Sequence, residues 1–243
     1  MFLLFPILRR LLYLAIFVAI LAVGAELLAR KLIGDAVTHA VAARIGGSAK
    51  VGFGSTPLVV QIARGSLGDV SVSATGARID GLGPLSLSGT LRDVHLQSLT
   101  GLQGAIGSLQ LAAGAPPSVV LDMLATPACL KSLPAAVRSG LTSRPRVEIF
   151  PGRVDLLPPR GRAAEVRLRP YAAGSSVRFA ISSIELRGAP APAAAVREAR
   201  TGASCSRDLS NLPFAVGLVS ARATSGALAL AFGGRGASFS ALG

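Results

Sequence analysis

Side chains that could carry out covalent or acid–base chemistry are few in this sequence and widely scattered. There are two cysteines, Cys129 and Cys205, two histidines, His39 and His95, and 12 acidic residues. A cysteine nucleophile needs a base beside it, and metal ligands or paired acids usually recur at short, regular spacing. The sequence has no such spacing and no HExxH, GxSxG, Walker or GxGxxG motif. It therefore predicts a protein that is not an enzyme and that holds no cofactor and no metal ion.

The two cysteines allow a structural role instead. They form no CxxC pair, so a redox or zinc motif is not supported. In an oxidising compartment Cys129 and Cys205 can form one disulfide that closes a long loop. In the chain-entropy model such a disulfide stabilises the folded protein by about 4 kcal/mol. Two buried free thiols are the alternative.

The chain is strongly basic, with 25 lysines and arginines against 12 acids and a formal charge of +13. Such a charge favours an anionic partner, either a nucleic acid or an anionic lipid surface. Tryptophan is absent and aromatic residues make up 5% of the chain, so few side chains can stack on bases. The sequence therefore predicts contact with an anionic membrane surface and no contact with nucleic acid.

Seven arginines lie between positions 144 and 169, where apolar residues alternate with charged ones. This alternation predicts strands with an apolar face and an arginine-bearing face. A solvated outer face is one interpretation of the charged side, and contact with an anionic headgroup is the other. The candidates for headgroup contact are Arg144, Arg146, Arg167 and Arg169.

Residues 1–29 indicate in which cellular compartment the protein acts. Arg9 and Arg10 precede the apolar run Leu11–Ala25, which is short for a bilayer span unless the apolar residues near Glu26 extend it. Val23-Gly24-Ala25 also suits signal peptidase. We expect residues 1–29 to be a signal peptide or a single membrane anchor. Residues 30–243 would then form an extracytoplasmic domain, either anchored or secreted into the cell envelope.

Alternating segments predict a bent sheet. Asp69–Ala74 alternates, and the odd-numbered Leu85, Leu87 and Leu91 repeat the pattern. The phase then changes at Val94, which predicts a β-bulge near Arg92 and Asp93. A similar change follows Ser182 and Ser183.

Helices are predicted between the strands. Apolar residues recur at helical spacing over Ala29–Ile45, which Gly46 and Gly47 would end. A short helix over Leu58–Arg64 would have Thr56 as its N-cap, Pro57 as its first residue and Gly65 as its stop. Ala189–Ala195 is read as a loop rich in alanine and proline.

Together these elements predict an α+β fold in which a curved antiparallel sheet and helices surround an apolar groove. Strand patterns at both ends of the exported part favour one domain. The residues predicted to line the groove or the core are Val70, Val72, Leu85, Leu87, Leu91, Val94, Phe179, Ile181, Phe214 and Val216.

Two segments resemble a known family. Residues 34–96 and 208–236, including the entry Leu212-Pro213-Phe214 to the last strands, are similar to the LmeA-type phospholipid-binding proteins of actinobacterial cell envelopes. The resemblance implies an exported domain of the tubular lipid-binding (TULIP-like) kind. It also implies phospholipid as the partner, with a role in envelope lipid or lipoglycan assembly or in lipid carriage. A structural envelope protein with a filled core, which scaffolds other proteins, is the alternative.

Overall fold

The structure is a computed structural model that describes residues 4–79, 82–98, 103–126, 129, 131, 133, 135–140, 145–159, 164–202, 205–212 and 216–240. Its helices are α1 (Leu4–Ile45), α2 (Leu58–Ala63), α3 (Pro117–Leu124), α4 (Ala135–Gly140) and α5 (Ala193–Gly202). Its strands are β1 (Ser48–Phe53), β2 (Ser66–Leu67), β3 (Val70–Ile79), β4 (Leu82–Ser98), β5 (Gln103–Ala115), β6 (Arg146–Phe150), β7 (Arg153–Leu157), β8 (Ala164–Ala173), β9 (Ser176–Leu186), β10 (Ala189–Pro190), β11 (Ser206–Asp208), β12 (Gly217–Ala223) and β13 (Leu228–Ser240).

The strands form two antiparallel sheets, where the sequence predicted one. The first sheet has the order β1-β3-β4-β5-β13-β12, with β2 paired to β4. The second has the order β10-β9-β8-β7-β6, with β11 paired to β9. The predicted α+β class with antiparallel strands is confirmed. The last strands return to the first sheet, because β13 pairs with β5 along its whole length.

One hydrophobic core joins the two sheets. It includes Leu58 from α2, Met123 from α3 and Leu168 from β8, all of them buried. Main-chain hydrogen bonds also link the sheets, because the Gly152 amide donates to the Ala223 carbonyl at 2.9 Å and the Gly226 amide to the Ile149 carbonyl at 3.1 Å. The sheets therefore pack as one unit over a shared interior.

Helix α1 runs without a break from Leu4 to Ile45 and so contains the predicted helix over Ala29–Ile45. It ends where predicted, because Gly46 and Gly47 take φ angles of 68° and 73° that favour glycine. Large apolar side chains between Ile16 and Leu32 are exposed. Across the described residues, no helix has both the length and the apolar content needed to cross a membrane.

The predicted cap of α2 is wrong. The helix begins at Leu58, as predicted, but its N-cap is Pro57 rather than Thr56, and no side chain of its own N-terminus caps it. Instead Glu26 of α1 accepts hydrogen bonds from the amides of Leu58 and Val59 at 2.7 and 3.1 Å. Arg30 donates to Glu26 at 2.5 Å and to the Thr56 carbonyl at 3.4 Å. We call these contacts the Glu26 clasp.

The phase change in β4 is present, but the predicted inserted residue is not. The pairing of β4 with β5 keeps one register through Arg92 and Val94, so the structure has no bulge there. Asp93 takes a φ of 55° instead, and the side chains that follow it point to the opposite face of the sheet. A Cβ at the facing Gly107 would lie 2.8 Å from the Asp93 Cβ, so this position needs glycine.

The phase change in β9 is a true irregularity of pairing. Arg167 of β8 pairs with Ser183 and Leu168 pairs with Ile181, so Ser182 is the extra residue, and the prediction is confirmed. The predicted loop before Cys205 is partly wrong. Helix α5 begins at Ala193, after Pro192, because the alanine-rich segment that follows has high helix propensity.

Cys129 and Cys205 form a disulfide, the first of the two alternatives. Both cysteines are buried. The bridge ties the segment after α3 to the start of β11.

Candidate functional site

An open groove with a volume of about 920 Å³ crosses the first sheet from β1 to β12. Its lining runs over consecutive residues of β1, β3, β4 and β5, and the half-buried Val51, Val72 and Leu111 among them also pack against the core. The exposed residues beside them, such as Lys50, Ser73 and Ala112, form its open surface. Because neighbouring side chains on a strand point to opposite faces, the groove lies on the face that turns away from the core. Two rows of residues that pair across the strands form its floor. The first row is Lys50, Ser73, Ser88, Ala112 and Ala231, and the second is Gly52, Ser71, Thr90, Gln110 and Gly233.

The polarity of the groove changes along the first of these rows, whereas the second row is still polar at Gln110 on β5. On β1, β3 and β4 the polar residues of the two rows are Lys50, serines and Thr90. On β5, β13 and β12 they include Ala112, Ala231 and Val219, and Val219 is 67% exposed. The first end can bind an anionic or hydroxylated group, and the second can contact hydrocarbon. The groove is therefore suited to an amphipathic ligand.

Two glycines leave space on the floor of the groove because they have no side chain. A Cβ at Gly52 would lie 2.6 Å from the Ser71 Oγ, and a Cβ at Gly233 would lie 3.2 Å from a methyl carbon of Val219. Both positions therefore leave room for the side chain on the neighbouring strand.

Most of the residues predicted to line the groove or the core lie in the core. Helices α1 and α3 and the second sheet pack against the core-side face of the first sheet. Val72 and Leu91 are half-buried, and among the predicted residues that the structure describes only Val72 also lines the groove. Phe214 lies outside the described residues. The buried members of the set are Val70, Leu85, Leu87, Val94, Phe179, Ile181 and Val216.

The arginines predicted to contact a headgroup lie on the second sheet, apart from the groove. Arg146 pairs with Glu148 at 3.4 Å, and Arg167 pairs with Glu165 at 2.9 Å and with Glu185 at 3.0 Å. The hydrogen bond that Arg167 donates to Glu165 is the main cause that raises the pKa of Arg167. Arg169 is exposed, and Arg144 lies outside the described residues. Contact of these arginines with a headgroup stays a prediction.

The same face of the second sheet holds a second buried carboxyl besides that of Glu165. Asp155 is 3% exposed, and its Oδ2 lies 3.2 Å from Arg153 Nε. Burial raises the pKa of this carboxyl, and Arg153 opposes that shift. In the described part of the chain, the other oxygen of Asp155 has no hydrogen-bond partner. In that same part, no three His, Cys, Asp or Glu side chains group closely enough to hold a metal ion.

Sequence comparison assigns the family. A family model described as LmeA-like phospholipid-binding matches residues 24–232. The chain belongs to this family. The match covers the Glu26 clasp, the second sheet and the first sheet as far as Phe232 in β13, and it confirms the resemblance drawn from two segments. No curated protein and no solved structure matches the chain.

Sequence reasoning missed the groove of this LmeA-like protein because it looked for apolar side chains. The available signal was the other half of the same alternation, in which Ser71, Ser73, Ser86 and Ser88 occupy the positions between the apolar residues. Small polar residues on a strand are usually solvated, so this pattern alone does not indicate a binding surface.

Proposed function

We propose that this LmeA-like protein binds a phospholipid across the groove of the first sheet. The lipid phosphate would lie at the Lys50 end, among the hydroxyl groups of the neighbouring serines, and an acyl chain would extend over Ala112 and Ala231 toward Val219. The observation that carries the proposal is the change in polarity along one open groove. Its volume falls within the range of about 300–1,000 Å³ that is usual for ligand sites.

We further propose that the protein acts outside the cytoplasm, in envelope lipid or lipoglycan assembly or in lipid carriage. Three features support this location. The N-terminal segment carries paired arginines before an apolar run, apolar side chains of α1 are exposed, and the chain contains a disulfide. Disulfides persist mainly in oxidising compartments. Residues 1–29 would direct export as a signal peptide or hold the protein at the membrane.

Native mass spectrometry of the full chain, purified in a mild neutral detergent, tests lipid binding. We expect a phospholipid to co-purify, or to be taken up from vesicles of phosphatidylcholine and phosphatidylglycerol. Ala112→Trp places an indole on the exposed floor of the groove and should remove most of the bound lipid. Because Ala112 points away from the core, this variant should keep the fold.

Arg222→Trp is the matched control, because Arg222 is exposed and pairs with Ala229, outside the groove lining. It should bind lipid as the wild-type protein does. A wild-type protein that is bare and takes up no lipid would refute phospholipid binding. Equal lipid retention by the two tryptophan variants would refute the groove as its site.

A further inference from the structure

A second cavity, with a volume of about 450 Å³, opens on the second sheet beside the disulfide. It shares no lining residue with the groove. Its polar side chains are Tyr171, Arg178, Arg200 and Ser206, and its lining is completed by Phe179, Ala180, Ile181 and Cys205.

The cavity lies at a gap in the edge of β9. Strand β11 pairs with β9 over Ser176–Arg178, and β10 pairs with it at Glu185 and Leu186. Between these two pairings, Arg200 of α5 donates from Nε to the Ile181 carbonyl at 3.1 Å and from Nη2 to the Ser182 carbonyl at 2.7 Å. Two hydrogen bonds therefore fix this guanidinium beside the cavity before any ligand binds.

Arg178 supplies a second positive charge. It stands in register between Tyr171 on β8 and Ser206 on β11, so two hydroxyl groups flank it. Arg178 is exposed, and across the described residues no carboxylate pairs with it. Arg169 adds positive charge nearby, because it pairs with the lining residue Ala180.

One acid near the cavity, Asp208, is already engaged. Asp208 follows Ser206 on β11 and accepts hydrogen bonds from Ser175 Oγ at 2.9 Å, Ser210 Oγ at 2.8 Å and the Ser210 amide at 3.1 Å. The bond from Ser210 Oγ is the main cause that lowers the pKa of Asp208. Both carboxylate oxygens of Asp208 thus bind its own loop.

We propose that this cavity is an anion-binding site that takes a phosphate group, with Arg178 and Arg200 as the cations and Tyr171 and Ser206 as hydroxyl donors. A planar guanidinium binds two phosphate oxygens at once, and hydroxyl groups can serve the remaining ones. The phosphate can belong to a free phosphorylated solute or to the headgroup of an anionic lipid in a membrane. The site is separate from the groove, and its test does not depend on lipid uptake there.

Two probes distinguish these sources in the full chain kept in neutral detergent. Calorimetric titration with inorganic phosphate measures the free anion. Flotation of the chain with vesicles of phosphatidylcholine, with and without phosphatidylglycerol, measures the headgroup. Arg178→Ala should weaken binding of the accepted probe by about tenfold or more, because it removes a charged hydrogen-bond donor. Arg197→Ala removes an exposed charge on the same helix as Arg200 and is the matched control.

Either of two results supports the site. Phosphate binding that depends on Arg178 identifies a free phosphate ligand. No phosphate binding, but flotation with phosphatidylglycerol that depends on Arg178, identifies a lipid headgroup. Failure of both probes to bind the wild-type chain overturns the proposal, and so do equal effects of Arg178→Ala and Arg197→Ala. Loss of lipid from the groove in Ala112→Trp leaves these results unchanged.

Discussion

Asp155 shows how one residue can tie the stability of the second sheet to pH. Its carboxyl is buried, and one of its oxygens is unpartnered within the described residues, so its surroundings disfavour the charged form. The folded state therefore holds a proton on Asp155 more tightly than the unfolded state does. For a carboxyl whose pKa is raised on folding, the free energy of unfolding falls as pH rises through the interval between the two pKa values.

We expect Asp155→Asn to remove this dependence. Relative to the wild-type protein, the variant should become more stable as pH rises from about 4, the usual pKa of an aspartate, toward neutrality. Urea denaturation across that range measures the difference. Asp122→Asn, at an exposed carboxyl of α3, is the control and should follow the wild-type curve. A difference between Asp155→Asn and wild type that does not change with pH would contradict the assignment.

At this scale the sequence predicts where a strand changes phase but not how. Alternation indicates a change near Asp93 and another near Ser182, and both are present. At Ser182 an extra residue enters the strand, whereas at Asp93 a single left-handed residue turns the strand over. Both solutions leave the same pattern of apolar residues, so alternation cannot separate them.

Among the elements, α1 and α2 are joined by the Glu26 clasp. The first amides of a helix lack partners within the helix, and here a carboxylate from another helix supplies the acceptor. The sequence predicts the existence of α2 from its proline and glycine boundaries. It does not predict the cap, because Glu26 lies 32 residues before Leu58 and no local pattern relates the two.

Glu26→Ala should lower the melting temperature by a few degrees, because two amides at the start of α2 lose their acceptor and Arg30 loses its partner. Glu26→Gln should have a smaller effect, because its amide oxygen can still accept one hydrogen bond. Thermal melts followed by circular dichroism measure both. Glu198→Ala, at an exposed position of α5, controls for the loss of one acid. If Glu26→Ala and Glu198→Ala have the same melting temperature, the clasp adds no stability.

For the whole molecule, the disulfide limits the freedom of the unfolded chain. Cys129 and Cys205 are separated by 76 positions, and a loop of this size is worth about 4 kcal/mol in the chain-entropy treatment. We expect the double variant Cys129→Ala, Cys205→Ala to lose a free energy of unfolding of that size. Chemical denaturation provides the measurement. Wild-type protein treated with a reductant should match the variant, and a loss near zero would contradict the expectation.

The groove is also a property of the whole molecule, which explains why it was not predicted from the sequence. Single strands show which side chains are apolar, and those side chains form the core. A phase change within one strand indicates a bend, but the hollow depends on how six strands curve together, and that depends on their pairing. The change from serines to alanines along a row becomes visible only once the pairing of β4 with β5 is known.

The Glu26 clasp sets a limit on how far the N-terminus can be trimmed. A leader peptidase that cut after Ala25 would leave Glu26 as the first residue of the mature chain, with its carboxylate still on the amides of Leu58 and Val59. Cleavage after Ala29 would remove that carboxylate and release both amides. The bond between Ala25 and Glu26 is thus the last one that can be cut without loosening α2.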